Sequence, residues 1–171
     1  MEKITEDCLL NIENINNWDR CGSNWTIITS HLALSEDFIR NFRHKLNWGL
    51  VCRYQTLSQS FIEEFKDRVD WGKVSRYQKL SENFIRIFQD VVCWYNICMY
   101  QQMSEEFLIE FEHKIQWDCL SSNKHLTENT LYNFRDLINW KMALSNRTIS
   151  EQFIVAHPEL IQKILGDIAN H

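Results

Sequence analysis

Glycine and proline are nearly missing from this chain: its 171 residues include four glycines and one proline. Both residues interrupt regular secondary structure, so their scarcity leaves few positions where a break is expected. The sequence also lacks the alternating runs of valine, isoleucine and threonine that are typical of half-buried strands. These absences argue against sheet-based folds, and we predict a chain built of helices.

The chain also lacks a long apolar run and a basic leader. No segment approaches the roughly 20 apolar residues that span a bilayer, and Met1–Thr5 has neither the basic start nor the apolar stretch of a secretory signal. We therefore expect an intracellular protein that is not secreted and has no membrane partner, with its six cysteines reduced. The formal net charge of -5 gives no general attraction to phosphate backbones.

Motifs that support the common kinds of catalysis are missing as well. The sequence contains no glycine-rich phosphate loop, no His-Glu-x-x-His, no Cys-x-x-Cys and no Gly-x-Ser-x-Gly. His44 and His113 occupy equivalent repeat positions three repeats apart, which is too far for one metal site. Cys93 and Cys98 have no companion ligands. We predict a protein that is not an enzyme, with no catalytic residue, no metal and no cofactor.

What the chain does contain is a repeat of 23 residues. A serine or threonine recurs at this spacing at Ser35, Ser58, Ser81, Ser104, Thr127 and Ser150. A tryptophan follows 13 residues after each of the first five, at Trp48, Trp71, Trp94, Trp117 and Trp140. A fixed period of this length is typical of a stacked array in which one supersecondary unit recurs.

The first part of each repeat has the signals of a helix start. In the second repeat, Ser35 is a favourable N-cap, and Leu34 and Ile39 have the spacing of a hydrophobic staple. Apolar residues continue along one helical face through Phe42 and Leu46. We therefore predict a first helix whose apolar face extends over these positions.

A second, shorter helix is predicted to begin at each tryptophan. Asn47, Asp70 and Asn139 precede three of the tryptophans and are favourable N-caps. Cys93 and Gln116 occupy the same position in two other repeats, where they cap poorly. The sequence therefore predicts a weaker helix start in those two repeats.

The recurrent phenylalanines and tryptophans are predicted to form the core. One 23-residue unit buries too little apolar surface to offset its conformational entropy, so neighbouring units must share buried faces. The predicted core comprises Phe38, Phe42, Trp48, Phe61, Phe65, Trp71, Phe84, Phe88, Trp94, Phe107, Phe111, Trp117, Phe134 and Trp140. We predict an all-α fold: an α-solenoid of stacked short helix pairs, like tetratricopeptide or HEAT arrays, with about six repeats and terminal caps.

We predict a single α-helical repeat domain over residues 1–171. Residues 1–33 form a variant first repeat, residues 34–148 form five regular repeats, and residues 149–171 form a C-terminal capping segment. In the first repeat the tryptophan position has two candidates. Trp18 follows Thr5 by 13 residues, while Trp25 precedes the tryptophan of the second repeat by 23 residues.

The last repeat departs from the pattern because Pro158 prevents an uninterrupted helix. A new amphipathic helix is predicted from Glu159 to Ile168. Its apolar residues share one face, and we expect them to cover the last layer of the array: Leu160, Ile161, Ile164, Leu165 and Ile168.

The repeat resembles a known sequence pattern, Leu-Ser-Glu-x-Phe-Ile-x-x-Phe-x-x-x-Leu/Val-Asn/Asp-Trp-x-x-Val/Ile-Ser/Cys-x-Tyr-Gln. The stretch LSQSFIEEFKDRVDWGKVSRYQKL shows it most clearly. This pattern is similar to a short tandem repeat in proteins of large DNA viruses that infect amoebae, over residues 34 to about 154, and the likeness weakens after Gln101. The resemblance implies a viral protein acting in the host cytoplasm or nucleus, or in the virion, and it implies no activity.

Positions that differ between repeats indicate where a partner would bind, because the scaffold does not dictate them. Helical arrays present extended surfaces suited to peptides and partner helices. We therefore expect a non-enzymatic scaffold that binds a protein or peptide. The candidate contacts are Lys73, Tyr95, Asn96, Met99 and Met142. The same variability is also expected of a surface that merely tolerates substitution.

Nucleic-acid binding is an alternative, because some helical repeats read one base each. Basic and aromatic residues recur near the ends of the second helices, at Arg53, Tyr54, Arg76, Tyr77, Lys124 and Arg147. Basic residues at helix C-termini are also favoured by the helix dipole alone. A further alternative is self-association through an end of the array, as a structural component of a virion.

Overall fold

A computed structural model describes residues 22–145 and 149–169, and the structured elements in these ranges are all helical. They comprise thirteen α-helices and one short 3-10 helix, with no strand among the described residues. The predicted all-α repeat fold is confirmed. No helix in the described part of the chain is long and apolar enough to cross a membrane.

The helices follow the 23-residue period. Helix α1 is Gly22–His31. Helices that follow the recurrent serine or threonine are here called Ser helices: α2 (Glu36–Asn41), α4 (Gln59–Glu64), α6 (Glu82–Ile87), α8 (Glu105–Glu110), α10 (Glu128–Asn133) and α12 (Glu151–Ala156). Helices that begin at the recurrent tryptophan are called Trp helices: α3 (Trp48–Tyr54), α5 (Trp71–Tyr77), α7 (Trp94–Tyr100), α9 (Trp117–Ser121) and α11 (Trp140–Ser145). The 3-10 helix is Glu112–Lys114, and α13 is Glu159–Ala169.

The predicted N-caps of the Ser helices are confirmed. In all six, the serine or threonine side chain accepts a hydrogen bond from the backbone N–H three residues later. Among the Trp helices, Asn47, Asp70 and Asn139 make the equivalent bond. Cys93 and Gln116 make no side-chain cap bond. The residue chemistry alone therefore predicted which helix starts are capped.

The predicted relative lengths of the two helices are wrong in three repeats, whereas α9, with five residues, is shorter than α8 as predicted. Each Ser helix has only six residues, whereas three of the Trp helices have seven. The backbone leaves helical geometry at Phe42 (φ -107°, ψ 19°), and the Leu46 N–H then closes a turn onto the Phe42 carbonyl at 3.3 Å. The indole N–H of Trp48 donates to the Arg43 carbonyl at 3.1 Å and so satisfies a group within this turn. No glycine or proline marks this helix end in the sequence.

The chain divides into two compact units, Met1–Gln78 and Lys79–His171, and each is described by itself. In the first unit α1 packs against α3, and α3 packs against α5. In the second unit α7 packs against α9, α9 against α11, and α11 against α13. Trp helices of consecutive repeats therefore lie side by side within each unit, as expected of an α-solenoid. The single domain over residues 1–171 stays a prediction.

Aromatic rings join consecutive repeats. The Trp48 ring lies 4.9 Å from Phe65 and 6.3 Å from Phe61 of the next repeat, measured between ring centroids. In the second unit, Trp94 lies 5.1 Å from Phe111 and 6.3 Å from Phe107. Of the predicted core residues, Phe38, Phe61, Phe84, Phe107, Phe111 and Trp140 are buried. The others are half-buried: Phe42, Trp48, Phe65, Trp71, Phe88, Trp94, Trp117 and Phe134.

Trp25 supplies the tryptophan position of the first repeat. It is 5% exposed, and its ring lies 5.4 Å from Phe42. The Thr29 hydroxyl donates to the Trp25 carbonyl at 2.6 Å, as the Ser75 hydroxyl donates to the Trp71 carbonyl at 2.7 Å. The alternative candidate, Trp18, lies outside the described residues.

Helix α13 caps the last layer with only part of its apolar face. Leu160 is buried and Ile164 half-buried, and both pack in the cluster that contains Trp140. The remaining apolar residues, Ile161, Leu165 and Ile168, are exposed, so the expectation that all five cover the core is corrected. An ion pair of 2.6 Å between Lys163 and Asp136 holds the helix at its polar side.

Candidate functional site

Buried glutamines link the Trp helices α3 and α5 to the preceding repeats, a role that the sequence pattern did not predict. The Gln55 side chain accepts a hydrogen bond from the Leu34 N–H at 2.8 Å. Its amide donates to the carbonyls of Thr29, at 2.6 Å, and Leu32, at 2.8 Å, in the preceding repeat. The carbonyls at the end of one helix thus find their partner in the next repeat. The recurrence of glutamine every 23 residues was the available signal.

Gln78 repeats this arrangement in the first unit. It accepts from the Leu57 N–H at 2.9 Å and donates to the carbonyls of Cys52, at 2.8 Å, and Gln55, at 2.7 Å. Because the same three bonds recur, successive Trp helices of the unit are held in the same relative position.

Asn123 takes over this role in the second unit. Its amide donates to the carbonyls of Cys98, at 2.7 Å, and Gln101, at 2.8 Å. Counting by 23 places Lys124 at the glutamine position, but α9 ends early at Ser121 and the shorter asparagine reaches the carbonyls instead. Lys124 is exposed beyond the helix and does not replace the glutamine.

The fourth residue after Trp94 and after Trp117 makes a second link between repeats. The Ser121 hydroxyl donates to the Trp117 carbonyl at 2.6 Å and accepts from the Asn139 N–H of the next repeat at 2.9 Å. Cys98 accepts from the Gln116 N–H at 3.4 Å at the equivalent place. Burial raises the pKa of the Cys98 thiol to about 11, so this thiol is neutral at physiological pH.

Buried side-chain hydrogen bonds fix the inner sides of the Trp helices. The residues on their outer face differ between the two units. In the first unit this face carries Arg53, Tyr54, Arg76 and Tyr77, all exposed, which we term the Arg–Tyr face. The Arg53 guanidinium carbon lies 5.0 Å from the Tyr54 ring centroid and 5.5 Å from that of Tyr77. Arg76 lies 5.1 Å from the Tyr77 centroid. Cationic and aromatic groups therefore alternate across α3 and α5.

Glycine precedes each of these arginines by four residues, one helical turn earlier on the same side. A Cβ atom at Gly72 would meet only the Asp70 carboxylate within 4 Å, whereas one at Gly49 would lie 2.6 Å from the Lys73 amine. The Lys73 amine pairs with Asp70 at 2.8 Å, and this bond is the main cause that lowers the pKa of the carboxyl. Lys73 is thus a half-buried, ion-paired side chain beside Gly49.

In the second unit the outer face carries tyrosine and methionine. Tyr95 is 49% exposed on α7, and Met142 is 41% exposed on α11. Met99 and Asn96 on α7 are half-buried. We term Tyr95, Met99 and Met142 the Tyr–Met face. Since α7 and α11 both pack against α9, these side chains belong to one row of three adjacent helices.

The sequence-predicted site residues thus fall into separate groups. Tyr95, Asn96 and Met99 share one helix, and Met142 lies two repeats further on. Lys73 belongs to the first unit. Of the six basic and aromatic candidates, four are brought together in the Arg–Tyr face, and Arg147 lies outside the described residues.

Charged groups on the Ser helices form pairs between repeats. Arg40 on α2 binds Glu64 on α4 at 2.9 Å, and Arg86 on α6 binds Glu110 on α8 at 2.8 Å. No group of three or more His, Cys, Asp or Glu residues that could hold a metal ion occurs within the described residues.

Comparisons of the chain with protein-family models, with curated proteins and with solved structures found no match.

Proposed function

We propose that this protein is a non-enzymatic repeat scaffold that binds a protein partner through the Tyr–Met face. The observation that carries the proposal is the exposure of Tyr95 and Met142 on helices whose inner sides are pinned by buried side-chain bonds. Asn123 and Ser121 make these bonds at α9, the helix between them. Because the backbone of these helices is already ordered, binding through them does not incur the cost of ordering a loop.

The chemistry of the face favours a peptide or helix with apolar anchor residues. Tyrosine is enriched at binding hot spots because it combines a large ring with a polar end. Methionine is flexible and adapts to irregular apolar partners.

Charge adds a second requirement for the partner. Residues 79–171 contain 8 Lys and Arg residues against 12 Asp and Glu residues. Asp118, exposed on the helix between the two anchors, adds a carboxylate to the face itself. The partner we propose is therefore a segment with apolar anchors and basic flanks.

The setting of this function is proposed from the repeat. Its resemblance to tandem repeats of amoebal DNA viruses supports a viral protein that acts in the host cell or in the virion. Self-association as a structural component is the alternative role. The mass of the protein in solution tests it: we expect the mass of one chain, and a larger assembly at micromolar concentration would favour the structural role.

The binding proposal is tested with a displayed peptide library selected on the full chain. Selected peptides should carry apolar residues flanked by lysine or arginine. Tyr95→Ala and Met142→Ala should each weaken a selected peptide by about tenfold. Ile109, an exposed apolar residue on Ser helix α8, provides the matched control, and Ile109→Ala should leave affinity unchanged. Selected peptides that bind the Tyr95→Ala and Met142→Ala variants at full affinity would refute the proposal.

A further inference from the structure

We propose that the Arg–Tyr face of the first unit binds single-stranded nucleic acid. Phosphates would lie at the guanidinium groups of Arg53 and Arg76, and bases would stack on the rings of Tyr54 and Tyr77. This inference goes beyond the protein-binding proposal and uses a different surface, so each can fail without the other.

The geometry supplies the two elements that single strands require. Proteins that bind them combine cationic groups along the backbone with aromatic faces for the bases. Here Arg53 lies within 5.5 Å of the ring centroids of both tyrosines, so one cation joins the aromatic groups of two adjacent Trp helices. The Arg-Tyr pair recurs after 23 residues, once in each of two adjacent repeats. Some helical repeat proteins take one base per repeat in this way.

The two tyrosine side chains of the face are accessible to a ligand. Tyr54 is 46% exposed and Tyr77 is 40% exposed. Arg40 and Arg86 on the Ser helices bind carboxylates, but within the described ranges Arg53 forms no ion pair with a carboxylate, and its guanidinium lies over the two tyrosine rings. Its charge is therefore not neutralised by an acidic neighbour in direct contact.

Local charge also favours an anionic ligand although the whole chain is acidic. The Trp helices α3 and α5 contain three basic residues, Arg53, Lys73 and Arg76, and no acidic residue. Among residues 22–78, eight are Lys or Arg and six are Asp or Glu. Four of those six, including Glu36 and Glu64, lie on the Ser helices.

Single-stranded nucleic acid fits these groups better than an acidic peptide or a duplex. A peptide carboxylate would use the arginines alone and leave two exposed rings without a role. In a duplex the bases are stacked on one another, so their faces are closed to the tyrosines. Unpaired bases can use both kinds of group at once.

The test measures the fluorescence anisotropy of labelled oligo(dT) and oligo(U) strands of about 15 nucleotides with the full chain at low salt. The double substitution Arg53→Gln with Arg76→Gln should weaken binding and reduce the slope of log affinity against log salt by about 1.4. Tyr54→Leu with Tyr77→Leu should weaken binding by about tenfold or more, because stacking is lost. Tyr54→Phe with Tyr77→Phe keeps the rings and should retain affinity.

Arg68→Gln is the matched control, because Arg68 is an exposed arginine of the same unit that lies outside helices α3 and α5. It should change affinity much less than the paired arginine substitutions. No binding at low salt, an equal loss in the Arg68 variant, or full affinity after both Tyr→Leu changes would overturn the proposal. So would displacement of the strand by poly-glutamate at lower concentration than by unlabelled strand. The Tyr95→Ala variant should bind the strand normally.

Discussion

Gln55 is a polar side chain that is almost completely buried, and all of its bonds link backbone groups. Its carbonyl oxygen accepts from Leu34, and its amide donates to Thr29 and Leu32. A buried polar group costs free energy when it loses its partner. Loss of the Gln55 side chain should therefore destabilise the fold by leaving these buried backbone groups unpaired. Leucine would fill a similar volume and satisfy none of these groups.

We expect Gln55→Leu to lower the free energy of unfolding by about 3 kcal/mol or more, since each orphaned buried group costs about 1–3 kcal/mol. Urea unfolding followed by circular dichroism measures this. Gln102→Leu is the control, because Gln102 is exposed and its substitution should change stability by less than about 0.5 kcal/mol. Equal stability of the two variants would show that the buried bonds add nothing.

Cys98 predicts a dependence of stability on alkaline pH. The buried thiol has its pKa raised to about 11, whereas an unfolded-chain thiol ionises near pH 8.5. Between these values the unfolded chain releases a proton that the folded chain keeps. The stabilisation is therefore complete below about pH 8.5 and is lost as pH rises towards 11.

Between pH 8 and pH 10.5 the wild type should lose about 2–3 kcal/mol of its free energy of unfolding through ionisation of this thiol. The Cys98→Ser variant should lack this loss. Serine already makes the equivalent bonds at Ser121, so the variant should fold normally. Parallel urea titrations of both proteins under reducing conditions measure the difference. Identical pH profiles would contradict a buried, neutral thiol at this position.

At the scale of the helix, capping explains why such short elements form. Six-residue helices are unstable by themselves in water, and a side-chain cap satisfies one of their free N–H groups. The Ser helices all have this bond, whereas α7 and α9 have Cys93 and Gln116 at their N-cap positions and lack one.

Gln116→Asn should stabilise the protein by about 0.5–1 kcal/mol, because asparagine caps the equivalent helices at positions 47 and 139. Gln102→Asn makes the same chemical change at an exposed position outside a cap and should have no effect. Thermal unfolding of the two variants gives the comparison. A lower melting temperature for Gln116→Asn than for the control would contradict the assignment of this position as an N-cap.

The helix starts were predictable from the sequence because a cap depends on residues three or four apart. Ser35 and Asn47 therefore gave their roles directly. The roles of Gln55 and Asn123 depend on carbonyls of the preceding repeat and on where a helix ends, which local spacing does not reveal. The same limit explains why Ile161 and Leu165 were expected on the core. Their periodicity shows one apolar face but not how wide a surface the last layer covers.

At the scale of each unit, the repeats are joined by two kinds of interaction that recur. Tryptophan rings pack on the phenylalanines of the next repeat, and buried side chains hydrogen-bond across the same boundary. No repeat buries its own aromatic layer completely, so we expect neighbouring repeats of one unit to unfold together. The packing does not require outer-face residues such as Tyr95 and Arg53, on which the two binding proposals rest.

Native-state hydrogen exchange of Trp94→Ala tests this shared packing most directly. Trp94 lies on α7 and contacts Phe107 and Phe111 of the following repeat, so its loss should destabilise the second unit by about 3 kcal/mol. Tyr95→Ala, the neighbouring exposed aromatic residue, is the control and should change protection little. We predict that the amides of Leu108 and Leu131, in the next two repeats, lose protection together with those of α7. Loss of protection confined to α7, with Leu108 and Leu131 unchanged, would contradict the account.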